Sequence, residues 1–242
     1  MTNKVALVVG AGDGTGGAIA KRFAREGFDV CVTRRSKDKL SSLVAEIEAA
    51  GGRGHAFGSD ARKEDSVQAL VNEIETTIGT IDVLVFNAGA NAPSGILDET
   101  PRKFFKIWEM ACFAGFLNAQ AVAKRMVARG RGTIIFTGAT ASLRGASHFA
   151  AFSSAKQGLR ALAQSMAKEL GPQNIHVAHV VVDGMIDTDF IRTTFAETYA
   201  DKMPKQGILL PDNIAENYWW LHQQPRDAWT FELDLRPAIE QW

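Results

Sequence analysis

The sequence predicts an α/β fold built on a doubly wound parallel sheet of about seven strands in a single domain, residues 1–242. Three observations predict it. Short apolar runs alternate with helical segments along the 242 residues, the first run leads directly into a glycine-rich turn and a helix, and no Pro/Gly/Ser-rich linker divides the chain. Regular alternation of this kind is typical of βαβ units that share one sheet.

Each element follows from its local pattern. The apolar runs predict strands at 5–9, 29–33, 54–59, 81–86, 132–137, 175–182 and 230–235. Helical spacing of apolar residues predicts helices at 14–26, 37–50, 64–78, 102–128, 150–170 and 211–223. Residues 187–210 lack such a pattern, and we expect an irregular lid or binding loop there.

A cluster of glycines lies between the first strand and the first helix. Strand, glycine-rich turn and helix are the setting in which a diphosphate binds at a helix N-terminus. A flexible loop is the alternative reading, but the Val-rich run before the turn favours a buried strand and hence a Rossmann-type phosphate site. The predicted contacts are Gly10, Asp13, Gly14, Thr15 and Gly16.

Two arginines, Arg34 and Arg35, follow the second strand. A guanidinium there suits a ribose 2′-phosphate through bidentate bonds, so the sequence favours NADP(H) over NAD(H). The alternative is that both are solvated surface arginines. Asp13 opposes phosphate binding unless it is paired, and Arg34 is its expected partner.

Composition excludes other functions. The 27 basic and 27 acidic residues balance to zero formal charge, which gives no electrostatic basis for binding nucleic acid or an anionic membrane. No apolar run reaches the roughly 18–20 residues of a membrane span. Cys31 and Cys112 have apolar neighbours, and no metal-ligand spacing occurs, so we expect buried thiols and no metal. The first strand begins almost at Met1, so we expect no signal peptide and a cytoplasmic protein that acts on a small molecule.

Several short motifs in order resemble the short-chain dehydrogenase/reductase family over nearly the whole chain. Gly10-x-x-x-Gly14-x-Gly16 is similar to its glycine motif and Asp60-Ala61 to its adenine-contacting pair. Phe86-Asn87-Ala88-Gly89 is similar to its Asn-Asn-Ala-Gly, with the first asparagine lost. Asp183-Gly184-x-x-x-Thr188 is similar to its Pro-Gly-x-x-x-Thr, with the proline lost. The resemblance implies that the following hold the cofactor: Asp60, Ala61, Asn87, Ala88, Gly89, Gly184, Ile186 and Thr188.

The resemblance also implies a catalytic centre of Tyr-x-x-x-Lys, a serine thirteen residues before the tyrosine and an asparagine on the preceding long helix. Lys156 matches the lysine, whereas Phe152, Ala139 and Ala111 stand at the other three positions. We therefore expect an NADP(H)-binding oxidoreductase on an unknown carbonyl or alcohol, with weak or atypical hydride transfer. The alternative is a non-catalytic regulatory or structural protein that binds NADP(H).

Two residues are candidate substitutes for the missing groups. Thr140 lies next to the serine position, and His148 precedes the Phe152 helix, although a solvated loop histidine is the plainer reading. Lys156 is expected to bind the nicotinamide ribose; altered chemistry is the alternative. The family commonly dimerises through the 102–128 and 150–170 helices, so we expect a homodimer or homotetramer, with Trp242 packed on a neighbouring subunit.

Overall fold

One parallel sheet organises the molecule. The computed structural model describes residues 3–89 and 91–241, so the expectation for Trp242 lies outside the described residues. Seven strands pair in the order β3-β2-β1-β4-β5-β6-β7. They are β1 Asn3–Val9, β2 Asp29–Arg34, β3 Arg53–Gly58, β4 Gly79–Phe86, β5 Gly132–Thr137, β6 Ile175–Val182 and β7 Glu232–Leu235.

Helices cover both faces of this sheet, which confirms the predicted fold class. They are α1 Thr15–Arg25, α2 Ser41–Ala49, α3 Glu64–Thr77, α4 Pro101–Trp108, α5 Ala114–Arg129, α6 Ala150–Leu170, α7 Asp189–Thr194, α8 Ala196–Lys202 and α9 Pro211–Gln223. None of the helices within the described ranges is both long enough and apolar enough to cross a bilayer.

The strands are apolar throughout because both faces of the sheet are buried. Side chains alternate along β1, so Leu7 and Val9 pack into the core under α3 and α5, while Ala6 and Val8 pack under α1 and α9. All four are at most 1% exposed. This two-sided burial explains why β1 reads as a continuous apolar run rather than an alternating one.

The predicted helix at 102–128 is interrupted, and here the prediction was wrong in detail. A π-helical turn, Glu109–Phe113, separates α4 from α5. Its buried residues, Ala111 and Cys112, face α6, where a Cβ added at Gly158 would lie 3.0 Å from the Cys112 sulfur. The wide turn is therefore in close contact with α6, which periodicity alone does not reveal.

The irregular loop predicted at 187–210 contains two short helices instead. Thr188 Oγ1 accepts a hydrogen bond from the Ile191 amide at 3.3 Å and caps α7. Arg192 donates to Asp187 at 2.7 Å, and the Tyr199 hydroxyl donates to the same carboxylate at 2.9 Å, which ties α8 to the start of the segment. Both helices are too short for an apolar period to show in the sequence.

The central strands place a cleft at one edge of the sheet. Val9 at the end of β1 pairs with Thr33 of β2 on one side and with Phe86 of β4 on the other. The chain leaves β1 and β4 for helices on opposite faces, so a gap opens beyond their carboxyl ends. The loops after these strands line the candidate site.

Candidate active site

Two adjoining cavities form a groove along the carboxyl edge of the sheet. The smaller has a volume of about 260 Å³ and the larger about 780 Å³. Five residues line both: Gly10, Gly12, Arg34, Asn87 and Gly89. The glycine turn therefore lies where the two cavities meet.

The glycine turn is pressed against neighbouring backbone. Gly10 has φ +86°, and a Cβ added there would lie 2.8 Å from the Ala88 Cα. A Cβ at Gly16 would lie 2.6 Å from the Gly10 carbonyl oxygen, which also accepts a hydrogen bond from Asn87 Nδ2 at 3.1 Å. No side chain caps α1 at Gly14, so its first amides remain available to an anion.

Arg34 lies over the glycine turn, but it does not pair with Asp13 as expected. A Cβ at Gly12 would lie 3.4 Å from an Arg34 guanidinium nitrogen. Asp13 is exposed, and within residues 3–89 and 91–241 no ion pair joins it to Arg34. The guanidinium over Gly12 is thus open to an external anion, and Arg35, which is exposed, lines the smaller cavity beside it.

The loop after β3 contributes Ala61 rather than Asp60. Arg62 donates to both carboxylate oxygens of Asp60 at 2.9 and 2.7 Å, and these hydrogen bonds lower the pKa of Asp60 to about 2. Ala61 lines the smaller cavity, and its carbonyl accepts a hydrogen bond from Asn118 at 3.1 Å. Met110, which the sequence did not single out, lines the same cavity from the π-helical turn.

Lys156 borders the larger cavity from α6, as do Phe152 and Ser153. Phe149, which precedes the helix, borders the cavity beside them. The Lys156 ammonium donates to the Thr137 carbonyl at 2.8 Å and lies 5.8 Å from the centre of the Phe152 ring. Lys156 is 4% exposed. Burial lowers the pKa of its ammonium to about 8, because the charged form loses its hydration.

The Thr140 hydroxyl is already hydrogen-bonded, which disfavours its expected role in place of the family's serine. Its Oγ1 donates to Asp183 Oδ1 at 2.5 Å. Ala139 lines the larger cavity beside Thr140, whereas Ala111 is fully buried in the π-helical turn. Ala139, at the position of the family's serine, therefore lies at the cavity wall. Ala111, at the position of the family's asparagine, lies in the packed core.

His148 is not brought to the site. It is exposed, has a left-handed backbone with φ +68°, and does not line either cavity. Its carbonyl accepts a hydrogen bond from the Ser94 amide at 2.8 Å. The histidine belongs to the surface loop that precedes α6.

The segment after β6 closes the groove opposite the glycine turn. Gly184 and Ile186 line the larger cavity. A Cβ at Gly14 would lie 2.9 Å from the Thr188 methyl group, so Thr188 faces the start of α1. Its hydroxyl accepts from Ile191 and keeps its own proton for donation to a ligand.

The predicted site residues left out Arg144, Ser153 and Asp183. Asp183 is 1% exposed and contacts Thr140, Arg144 and Arg236. One signal did exist in the sequence, because a carboxylate replaces a proline where the family resemblance runs through 183–188. Arg144 and Ser153 lie in segments that show no comparable departure from the family motif.

The chain matches known proteins over most of its length. A family model described as short chain dehydrogenase matches residues 4–198. The 2-dehydro-3-deoxy-D-gluconate 5-dehydrogenase of Formosa agariphila is 34% identical over 202 residues, which cover 78% of this chain and 76% of that protein. The chain therefore belongs to the short-chain dehydrogenase family, whose members are oxidoreductases that bind NAD(P).

Solved structures agree with this assignment. The crystal structure of a short-chain dehydrogenase from Rhodopseudomonas palustris has a TM-score of 0.84 at 50% identity, covering 98% of this chain and 100% of that chain. A metagenomic short-chain oxidoreductase in complex with NADP has a TM-score of 0.84 at 29% identity, covering 98% and 99%. The expected fold and family are confirmed.

Proposed function

We propose that the protein binds NADP(H) in the groove and reduces a carbonyl compound, with Lys156 supplying the proton, or oxidises the corresponding alcohol, with neutral Lys156 accepting it. The observation that carries the proposal is the groove itself, which runs from Arg34 over the glycine turn to a buried lysine. Bound NADPH would supply a hydride to the carbonyl carbon. Residues of this chain would bind and orient the substrate and transfer the proton.

The residues around the glycine turn fit the cofactor. The uncapped amides at the start of α1 would hold the diphosphate, and Arg34 would hold the ribose 2′-phosphate. Ala61 would lie beside the adenine, and Ile186 and Thr188 would hold the nicotinamide amide. Lys156 would bind the nicotinamide ribose, whose hydroxyls would give its buried ammonium further acceptors.

The proton source at this site differs from the family pattern. We align Phe152, Ala139 and Ala111 with the positions of the family's tyrosine, serine and asparagine, so no phenol reaches the carbonyl oxygen. Lys156 is the titratable group that lines the cavity next to Phe152. With a pKa near 8 its ammonium is a better acid than an ordinary lysine, and it would transfer a proton to the oxygen that gains negative charge.

A non-catalytic role is favoured by one specific observation. The cavity wall around Lys156 contains Phe152 and Ala139 at the positions where the family has the hydroxyls of tyrosine and serine. The residues proposed to hold the cofactor are nevertheless present. Under this second proposal, bound NADP(H) controls an assembly or a partner and no hydride is transferred. The two proposals differ in turnover and agree on binding.

Titration of NADPH and NADH, followed by measurement of NADPH oxidation with aldehydes and ketones, tests the proposal. We expect NADPH to bind at least about tenfold more tightly than NADH, and Arg34→Gln to abolish that preference, because the guanidinium's charge-assisted bonds to the phosphate are lost. Arg25→Gln, an exposed arginine in the last turn of α1, is the matched control and should preserve the preference. Failure of both cofactors to bind would contradict both proposals, and binding without turnover would support the second.

Carbonyl reduction should depend on the protonation state of Lys156. Only the protonated Nζ can donate, so its active fraction is complete well below pH 8 and falls about tenfold per pH unit well above it. We expect the rate of reduction at saturating NADPH to follow this fall between pH 8 and 10. The affinity for NADPH is measured over the same range as a control. A rate that stays constant to pH 10 would exclude Lys156 as the proton donor.

A further inference from the structure

Arg144 reaches the larger cavity from the loop between β5 and α6. Its side chain is 39% exposed and points one end of the guanidinium at the buried carboxylate of Asp183. The three contacts between them measure 3.3, 3.4 and 3.4 Å. Charge-assisted hydrogen bonds of arginine with a carboxylate are usually about 2.7–2.9 Å long, so this pair is loosely joined.

Asp183 also has other partners. The Thr140 hydroxyl donates to it at 2.5 Å, and a guanidinium nitrogen of Arg236, which also pairs with Asp234, lies 3.7 Å from its second oxygen. Arg144 is thus one of several groups that contact this carboxylate, and the short hydrogen bond comes from Thr140. Among the residues that the structure describes, Arg144 has no other acceptor, and several of its five N–H donors remain unused.

The charges that border the larger cavity are unevenly placed. Asp13 and Arg34 border it at the glycine turn, and Lys156 and Arg144 border it from α6 and from the loop before α6. Asp183 does not line the cavity and is 1% exposed, so it does not itself present a carboxylate there. Among the described residues that line the cavity from α6 and the loop before it, there are therefore two cations and no anion.

Apolar side chains complete this part of the cavity. Phe152 borders it from α6, Phe149 from the residue that precedes this helix, and Met185 from the segment after β6. Two cationic side chains next to apolar ones are complementary to a ligand with an apolar or aromatic group and an anionic group.

We propose that the larger cavity takes a carbonyl compound or alcohol that carries a carboxylate, with Arg144 as the anchor of that carboxylate and Lys156 next to the reacting oxygen. The inference rests on the proposed function for the location of the reacting carbon. The substrate carboxylate would replace the long contacts to Asp183 with short bidentate ones. Arg144 is thus a specificity-determining residue that takes no part in proton or hydride transfer.

The test compares two aromatic aldehydes that differ in charge. Binding of 4-formylbenzoate and 4-formylbenzamide to the NADP⁺-loaded protein is measured by calorimetry, in which the oxidised cofactor prevents reduction. We expect the acid to bind about tenfold more tightly or better, the range for one or two charge-assisted bonds to an anion. Arg144→Gln should abolish the difference, and Arg144→Lys should restore part of it as a point charge.

Arg131→Gln is the matched control. Arg131 pairs with Asp82 at 3.0 Å and precedes β5, at the opposite end of the sheet, so this variant should keep the preference for the acid. Melting temperatures identify any variant that fails to fold, in which case Arg144→Lys still reports the anchor. Equal affinities of wild type for acid and amide would overturn the inference. If NADP⁺ does not bind, the proposed function fails, and the same comparison in the unliganded protein decides the carboxylate preference independently.

Discussion

Replacing Phe152 with tyrosine and Ala139 with serine is expected to raise NADPH-dependent carbonyl reduction by about 10²–10⁴-fold, the usual contribution of a positioned general acid. Both residues line the larger cavity, and Phe152 precedes Lys156 by four residues on α6. A phenol there would share a helix face with the ammonium, which lowers its pKa by favouring the phenolate. A serine at 139 would add a hydroxyl at the wall for the substrate oxygen.

Steady-state kcat/KM for the wild type, both single variants and the double variant measures this gain. Phe149→Tyr is the control, because Phe149 lines the same cavity but lies just before α6, seven residues before Lys156, so a phenol there does not stand one helical turn from the ammonium. It should leave the rate nearly unchanged. An equal gain from Phe149→Tyr, or no gain in a double variant that still binds NADPH, would refute the alignment of Phe152 with the family's tyrosine.

Substitution of Asp183 with alanine is expected to lower the free energy of unfolding by about 3 kcal/mol, near the low end for removing one partner of a buried ion pair. The carboxylate is 1% exposed and is shared by Thr140, Arg144 and Arg236. Its removal leaves the partly exposed Thr140 hydroxyl without its acceptor. The loss stays at the low end because the Arg144 side chain, 39% exposed, can turn into water.

Thermal unfolding checks this prediction, since a loss of that size lowers the Tm of a domain of this length by roughly 6–12 °C. Asp183→Asn should lose less, because an amide oxygen still accepts from Thr140. Asp234→Ala is the comparison, as Asp234 also contacts Arg236 but its side chain is 38% exposed. A Tm for Asp183→Ala within the spread of Asp234→Ala would show that the buried carboxylate contributes little.

The local pattern of apolar residues was sufficient to predict most of the strands and helices. The strands at 132–137 and 175–182 and the helices at 150–170 and 211–223 match their predicted bounds. Buried parallel strands and amphipathic helices differ in period and length, so each is recognisable alone. The π-helical turn at Glu109–Phe113 packs against α6, and the local period does not distinguish it from the α-helix on either side, so it was not predicted.

The candidate site was only partly predictable for a similar reason. The glycine turn and Lys156 are recognisable because strand, turn and helix follow one another in the sequence. The partner of Thr140 is Asp183, 43 residues away, and the two meet only because β5 and β6 are adjacent in the sheet. Asp13 and Arg34 are not paired as expected, because that pairing was inferred from charge alone, whereas the Arg34 guanidinium lies beside Gly12.

The division of α6 into two faces has an evolutionary consequence. Phe152 and Lys156 border the cavity, while Ala155, Leu159 and Ala163 on the same helix are fully buried against other elements. Changes in chemistry can therefore accumulate on one face without eroding the packing that selection for foldedness maintains on the other. If the Phe152→Tyr/Ala139→Ser variant gains turnover as expected, residues that bind the nucleotide and residues that transfer the proton can change separately in this fold.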